Sequence, residues 1–508
     1  MSALAGAGAP AALSLLAAGS AAAQTATDYK ALVCIFLYGG NDAFNRLLAT
    51  DSESWQAYST TRNQAPESIA PLAPGVAANS AAAAGSPARL GGVLPLTPIS
   101  SPLSSPLNSP GSSLALHPLM GTLQTMFNSE RRLAMLPNIG PLVMPTTKAQ
   151  YNLGAHPKPA RLLSHNDQLN TWQALAPEGT VHGWGGRMGD MLAAMNSRAV
   201  FTSISAGNNA VWLSGRTVQQ YQVGSNGALR LGADSNGRVF GLVFGSTEVA
   251  AALERIASSS RGSHVFAGDV AAIAQRSIDA EVILRTALRP ASDAAFGTAP
   301  NSGAYNANND PRLQVDNPLN GGRSSNALAQ QLQVVARMVD AGISGATGAR
   351  RQVCFVNMGG FDNHDAQNRN QADLLARLAH AMRYFDTTLG AMGARSNVTS
   401  FTASEFGRTF TSNGDGTDHG WGSHHFVMGG AVRGGQLYGR LPTLAVKNSN
   451  NNNFDGSPDQ LGNGALLPTT SVDQLGAWFG LNGEQLADCF PNLANFDASV
   501  RNLGLMAA

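Results

Sequence analysis

Charge is what this chain has least of. Asp, Glu, Lys and Arg make up 13% of its 508 residues, about half the usual share, and the net charge is +1. Such a balance leaves no basic face for nucleic acid, so no nucleic-acid partner is expected. Cysteine is scarce as well. Cys34, Cys354 and Cys489 are odd in number and widely spaced, which gives neither a disulfide framework nor a zinc-ligand pattern. Cys34 and Cys354 lie inside apolar, strand-like runs and read as core thiols. A convincing membrane span is missing too: the N-terminal Ala/Gly-rich run is too rich in small residues to make one. There is no internal repeat. With so few charges, the surface falls to Asn, Ser, Thr and Gln, a pattern that suits an exported protein.

What is present begins with "MSALAGAGAPAALSLLAAGSAAAQTATDYK". It has the h-region and small-residue cleavage site of an export signal, placed at 1–24 with cutting near Ala23 or Gln24. No Lys or Arg precedes Lys30, so the arginine pair of a twin-arginine signal is expected upstream. The alternative is a disordered Ala-rich tail. Residues 28–508 then form one domain with insertions at about 73–115, 208–262 and 288–325. The first of these holds "SSPLSSPLNSPGSS" and reads as loop or disordered. The second carries short strand and turn signals, among them Ser235-Asn236-Gly237, before the helical "STEVAAALERIA", and suits a lid or subdomain.

Three stretches share one design. "ALVCIFLYGGND", "RQVCFVNMGGFDNH" and "NVTSFTASEFGRT" are β-prone runs without alternation, as expected of strands covered on both faces. "RLAMLPNIG" and "AVFTSISAGN" are weaker strand candidates. Between them, Leu328, Leu332, Val335 and Val339 share one helical face, and Leu374, Leu378, Met382 and Phe385 another. His380 falls inside the second helix and reads as structural. This strand–helix–strand order predicts an α/β fold, a doubly wound and mostly parallel sheet flanked by helices. Ligands gather beyond the carboxyl ends of such strands. Asp42, Asp362, His364 and Glu405 all sit there.

Of ten histidines, His419, His424 and His425 crowd one glycine-rich loop, "DHGWGSHH". Oxygen donors with imidazoles suit zinc, manganese or iron. Asp42 is either a metal ligand or a helix cap. Glu405 is either a ligand or the partner of Arg408, and Arg408 could instead clamp an oxyanion. His419 is a candidate ligand, with Asp418 placed to orient it. Either His424 or His425 is expected to handle substrate or protons, since alternation along an extended segment sends them to opposite sides. Ser164 reads as the N-cap of a capping box with Asp167, a position that also faces an anionic substrate at a helix N-terminus. His165 is a further candidate ligand or acid. "HGWGGR" reads as the start of a helix, with Arg187 kept for packing.

The motifs "LVCIFLYGGND", "SHNDQLNTW", "HGWGGRMGDML", "GGFDNH", "SEFGRT", "DHGWGSHH" and "GGAVRGGQLYGRLP" resemble, in order, those of the DUF1501 family. That family comprises exported bacterial proteins of unassigned function, related to the alkaline phosphatase and sulfatase superfamily. The resemblance implies an alkaline phosphatase-like domain holding one or two divalent ions. It implies metal ligation by Asp42, Asp362, His364, Glu405 and His419, and Ser164 as the nucleophile. The Cys-x-Pro-x-Arg signature of formylglycine sulfatases is absent, since "CFPNL" at Cys489 has Leu where Arg is needed.

The resulting expectation is a periplasmic or otherwise exported metal-dependent hydrolase of phosphate or sulfate esters. It would take a small anionic ester and use a metal-activated serine or water, with Ser164, Arg408, His424 and His425 as catalytic candidates. The alternative is a catalytically degenerate binding or assembly protein on the same fold.

Overall fold

The computed structural model describes residues 28–99, 113–224, 227, 246–259, 265–469 and 474–507. The expected export signal and the Ser235-Asn236-Gly237 turn lie outside the described residues. The run read as the first strand forms β1, Lys30–Leu37. Ala31, Val33, Ile35 and Leu37 enter one core, and Leu32, Cys34 and Phe36 enter another. With apolar layers on both faces, neither face selects polar residues, which is why the run does not alternate.

Six more strands join it: β2 (Leu133–Ile139), β3 (Ser203–Ser205), β4 (Tyr221–Gln222), β5 (Arg351–Met358), β6 (Val398–Ala403) and β7 (Ser423–Gly429). Their order across the sheet is β2-β7-β6-β1-β5-β3-β4. The run from β6 to β4 is parallel, and β7 is antiparallel to both of its neighbours. The architecture is therefore α/β with a mixed seven-stranded sheet.

Five helices matter most to the strand-end loops: α1 (Ser52–Arg62), α2 (His165–Ala174), α3 (Trp184–Leu192), α4 (Ala327–Ile343) and α5 (Gln367–Ala391). α4 and α5 cover one face of the sheet through Leu328, Leu332, Val335, Leu378, Met382 and Phe385. α3 covers the other face through Met188 and Leu192. His380 in α5 lies 3.1 Å from the side chain of Asn326, the residue that caps α4. All three cysteines are buried and free. No described helix is long and apolar enough to cross a membrane.

Two expectations need correction. Part of 73–115 is ordered structure: Leu94–Leu96 and Leu47–Ala49 each pair with Leu114–Leu116 in a small antiparallel sheet. Leucines spaced by two gave these triplets something to bury, despite the Ser and Pro around them. The second correction concerns "SHHFVMG", read with its glycine-rich loop. It is β7, and every residue of it is buried. In the 208–262 segment, Tyr221–Gln222 extends the main sheet as its edge, and Thr247–Ser258 is helical as its pattern predicted.

β6, β1 and β5 are neighbours, so the loops at their carboxyl ends meet. Ser404 ties two of them together, donating to Leu37 O at 2.7 Å and accepting from the Asn41 amide at 3.0 Å. Gly39 sits at the junction with φ +114°, and a Cβ there would lie 2.3 Å from the Asp362 nitrogen. The close approach of these two loops therefore depends on a missing side chain. Gly39→Ala is expected to destabilise the fold by at least about 2 kcal/mol in urea unfolding, through strain and displacement of the Asp362 loop. A loss below about 0.5 kcal/mol, the level of an ordinary surface change, would show that the junction is not tight.

Candidate functional site

Asp362 stands where the three loops meet. Its Oδ1 accepts from Arg408 Nη1 at 2.5 Å, and lies 3.0 Å from His364 Nε2 and 3.1 Å from His419 Nε2. Its Oδ2 is 3.3 Å from His165 Nε2. His364 follows on the same loop. His419 comes from the segment after β6, where residues 408 and 419 form an antiparallel bridge. His165 is the first residue of α2.

Each imidazole has its other nitrogen occupied. His165 Nδ1 is 3.0 Å from Glu405 Oε1, His364 Nδ1 is 3.1 Å from Asp418 Oδ1, and His419 Nδ1 is 2.8 Å from the Leu163 carbonyl. A carbonyl can only accept, so His419 carries its proton on Nδ1 when neutral. A carboxylate favours the same tautomer in the other two. All three rings then turn an Nε2 lone pair toward Asp362. The Nε2 atoms of His364 and His419 are only 3.1 Å apart. Such a set of lone pairs and a carboxylate repels itself unless one of the rings is protonated or a cation is bound among them. Imidazoles held from behind by oxygen, with a carboxylate among them, are the usual surroundings of a bound transition metal. His165, Asp362 and His419 alone bring their donor atoms within 4.8 Å of one another.

The electrostatics agree with this geometry. Burial raises the Asp362 carboxyl, but Arg408, His364 and His165 outweigh it and hold the group below the usual range. The hydrogen bond to Glu405, opposed by partial burial, raises His165. Burial lowers His419, with Arg408 and His165 adding to the effect. His419 is therefore neutral at neutral pH, as a ligand must be, while His165 holds a proton more tightly than a free histidine and would have to give it up to ligate. The Phe406 ring, fully buried, floors the cluster 4.8 Å from His165 and 4.5 Å from His419. Above it, Asp362 and His364 are about two-fifths open to solvent.

The structure brings together Asp362, His364 and His419 of the residues singled out from sequence, and adds His165, weighed there only as a further candidate. The remaining residues are placed elsewhere. Asp42 is buried in a bidentate pair with Arg62, at 2.6 and 3.1 Å, and Gln367 donates to it at 2.7 Å. With the Phe44 amide also on Oδ1, it acts as the cap of a short turn and not as a ligand. Glu405 stands behind His165, and the same Oε1 accepts from the Gly39 amide at 2.7 Å. Arg408 does not pair with Glu405. Besides Asp362, it donates to the Gly39 and Thr417 carbonyls and to Thr417 Oγ1. Four of its five N–H groups are bonded inside the protein and its side chain is fully buried, which leaves it no grip on a substrate oxyanion.

His424 and His425 stand on opposite faces of β7, away from the cluster. His424 Nδ1 accepts from the Asn138 amide at 2.9 Å, and burial, helped by Arg46, pushes the ring down to about 3. His425 faces Trp172. Ser164 caps α2 without the expected capping-box bond; it donates to Asp167 Oδ2 at 2.9 Å. Arg187 donates to the Ala174, His182 and Cys489 carbonyls and is used for packing. The roles of the Leu163 carbonyl and of Asp418 toward His364 were missed. Leu163 has φ +73°, a strained turn that points its carbonyl at His419 and that no residue type announces.

The DUF1501 family, described as a protein of unknown function, matches residues 320–483. The matched stretch contains Asp362, His364, Glu405, Arg408, Asp418 and His419 but not His165. No curated protein matches the chain.

Two substitutions separate orienting from purely structural carboxylates. Asp418→Ala is expected to weaken zinc binding about 10- to 100-fold in a chelator-competition titration, because His364 loses the oxygen that fixes its ring. Asp42→Ala is expected to leave zinc affinity unchanged but to cost about 3–5 kcal/mol in unfolding, because Arg62 is left buried and unpaired. The reverse pattern would make Asp42 the ligand after all.

Proposed function

We propose that this protein is an exported, metal-dependent hydrolase of phosphate or sulfate esters. The observation that carries the reading is the convergence of three oxygen-backed Nε2 atoms on Asp362. His165, Asp362, His364 and His419 would hold zinc, manganese or iron, as a nitrogen-rich set with one carboxylate favours. The bound ion would polarise an ester oxygen and make a neighbouring hydroxyl or water more acidic.

The chain's own groups supply the rest. Ser164 donates to Asp167 at 2.9 Å, so the carboxylate is in place to take the proton as the hydroxyl attacks phosphorus or sulfur. The bond to the ester's alcohol oxygen breaks, the alcohol leaves with a proton from solvent, and water then cleaves the seryl ester. Ser164 also stands at the N-terminus of a ten-residue helix, where the helix dipole favours an anionic ester. Glu405 keeps His165 turned into the cluster, and Arg408 keeps Asp362 there. The scarcity of charge over the whole sequence agrees with export.

One observation favours a second reading, a catalytically degenerate binding or assembly protein. Arg408, expected to grip the oxyanion, has its donors committed to Asp362 and to backbone.

Metal content separates the two. Plasma mass spectrometry on untagged protein is expected to find one equivalent or more of zinc, manganese or iron, lost in Asp362→Ala. The metal-loaded protein is expected to cleave p-nitrophenyl phosphate or p-nitrophenyl sulfate, with turnover reduced at least about 100-fold in Ser164→Ala. Metal without turnover on a broad ester panel would move the assignment to the binding protein. No metal in either sample after reconstitution would remove the basis of both the cluster and the hydrolase.

A further inference from the structure

A cleft of about 130 Å³ opens on the α3 face of the sheet, separate from the Asp362 cluster. Leu136, Trp172, Leu175, Trp184, Phe401 and Phe490 are among the apolar residues of its wall, and no Asp, Glu, Lys or Arg lines it. A cavity of this order takes one small ring. Thr402 and His425 supply polarity at one side. His425 is 1% exposed, and its Nε2 has no hydrogen-bond partner. A buried polar atom left unmatched in an otherwise satisfied strand is the feature to explain.

The tautomer is set by the neighbours. Thr402 Oγ1 accepts from the Phe426 amide at 2.9 Å and lies 3.3 Å from His425 Nδ1. Among the described residues the threonine hydroxyl has no other acceptor for its own proton, so it donates to Nδ1, which leaves the imidazole proton on Nε2. Burial, with the nearby Arg46 and His424, holds the ring far below the usual histidine range, so it stays neutral. The cleft thus presents one buried, unmatched neutral donor among aromatic and aliphatic walls, with Thr171 and Asn492 as further neutral polar residues in its lining.

We propose that this cleft binds a small neutral molecule made of a single ring bearing one hydrogen-bond acceptor, such as a carbonyl or ether oxygen, paired with His425 Nε2. The absence of charged lining residues disfavours an ionised ligand, whose desolvation would go uncompensated. The unmatched donor selects an acceptor over a bare hydrocarbon. Position links the cleft to the cluster without making it depend on metal. Trp172 lies seven residues beyond His165 on α2, about 10 Å along the helix. Thr402 lies three residues before Glu405, about 10 Å along the strand.

The probes are acetophenone and ethylbenzene, similar in shape and differing in the acceptor. Binding to the full chain is measured by saturation-transfer NMR titration and by quenching of tryptophan fluorescence. Acetophenone is expected to bind saturably, about 3- to 10-fold more tightly than ethylbenzene, as one added hydrogen bond allows. His425→Leu is expected to erase that preference, and Leu175→Trp, which fills the cleft, to abolish binding of both. No saturable binding of acetophenone would overturn the proposal, as would equal affinities for the two probes, the result expected if only water meets Nε2. Should His425→Leu fail to fold, the wild-type comparison and Leu175→Trp decide. Neither arm needs bound metal or turnover.

Discussion

The arrangement around Asp362 depends on one unfavourable fact. Four nitrogens press on one small carboxylate, and only the guanidinium is certain to bring a proton. Arg408 is fully buried and shares Asp362 with solvent-facing histidines, so the carboxylate is kept ionised from the protein side. Without that cation, a partly buried aspartate among imidazoles would meet lone pairs on every side. With it, one edge of the carboxylate is neutralised and the other remains for His165 or for an ion. The loop packing through Gly39 and Ser404 serves this end, because it fixes how near β1, β5 and β6 can deliver their residues.

Two arginine–aspartate pairs divide the labour. Arg62 and Asp42 are both almost fully buried and match each other bidentately, so their charges cancel within the fold. A closed pair of this kind has no capacity left for chemistry, and removing either partner strands the other in a low-dielectric interior. Arg408 and Asp362 are unequal: the arginine is sealed and the aspartate is open. The same pairing of residue types thus acts as a clamp in one place and as a tuner in the other. Exposure decides which.

The sequence carried the architecture further than the site. Apolar runs ending in Gly-Gly placed β1 and β5 and the helical spacing placed α4 and α5, because periodicity reports burial directly. Strand-end position then led to Asp362, His364 and Glu405, and the histidine cluster to His419. The same rule also led to Asp42, which lies at a strand end but is turned inward to an arginine twenty residues later. Nothing local to Gly-Gly-Asn-Asp announces that partner. "SHHFVMG" misled for a related reason. Glycines and histidines look like a loop, but Phe426 and Met428 enter one core and Val427 the other, as a strand paired between β2 and β6 and covered on both faces allows.

His165 shows where proton and metal chemistry meet. Glu405 behind it raises its affinity for a proton, and by the same electron donation strengthens Nε2 as a ligand. The two are competitors for one lone pair. As an imidazolium, His165 bridges Glu405 and Asp362 and closes the cluster upon itself. As a neutral ring, it presents that lone pair beside those of His364 and His419. The carboxylate that holds the protonated cluster together is thus the one that readies it for a cation. His419, backed by a carbonyl instead of a charge and lowered by burial, contributes a lone pair that no proton contests at neutral pH. The cluster thus holds both kinds of histidine: one whose lone pair stays open, and one whose protonation can hold four nitrogens and a carboxylate together.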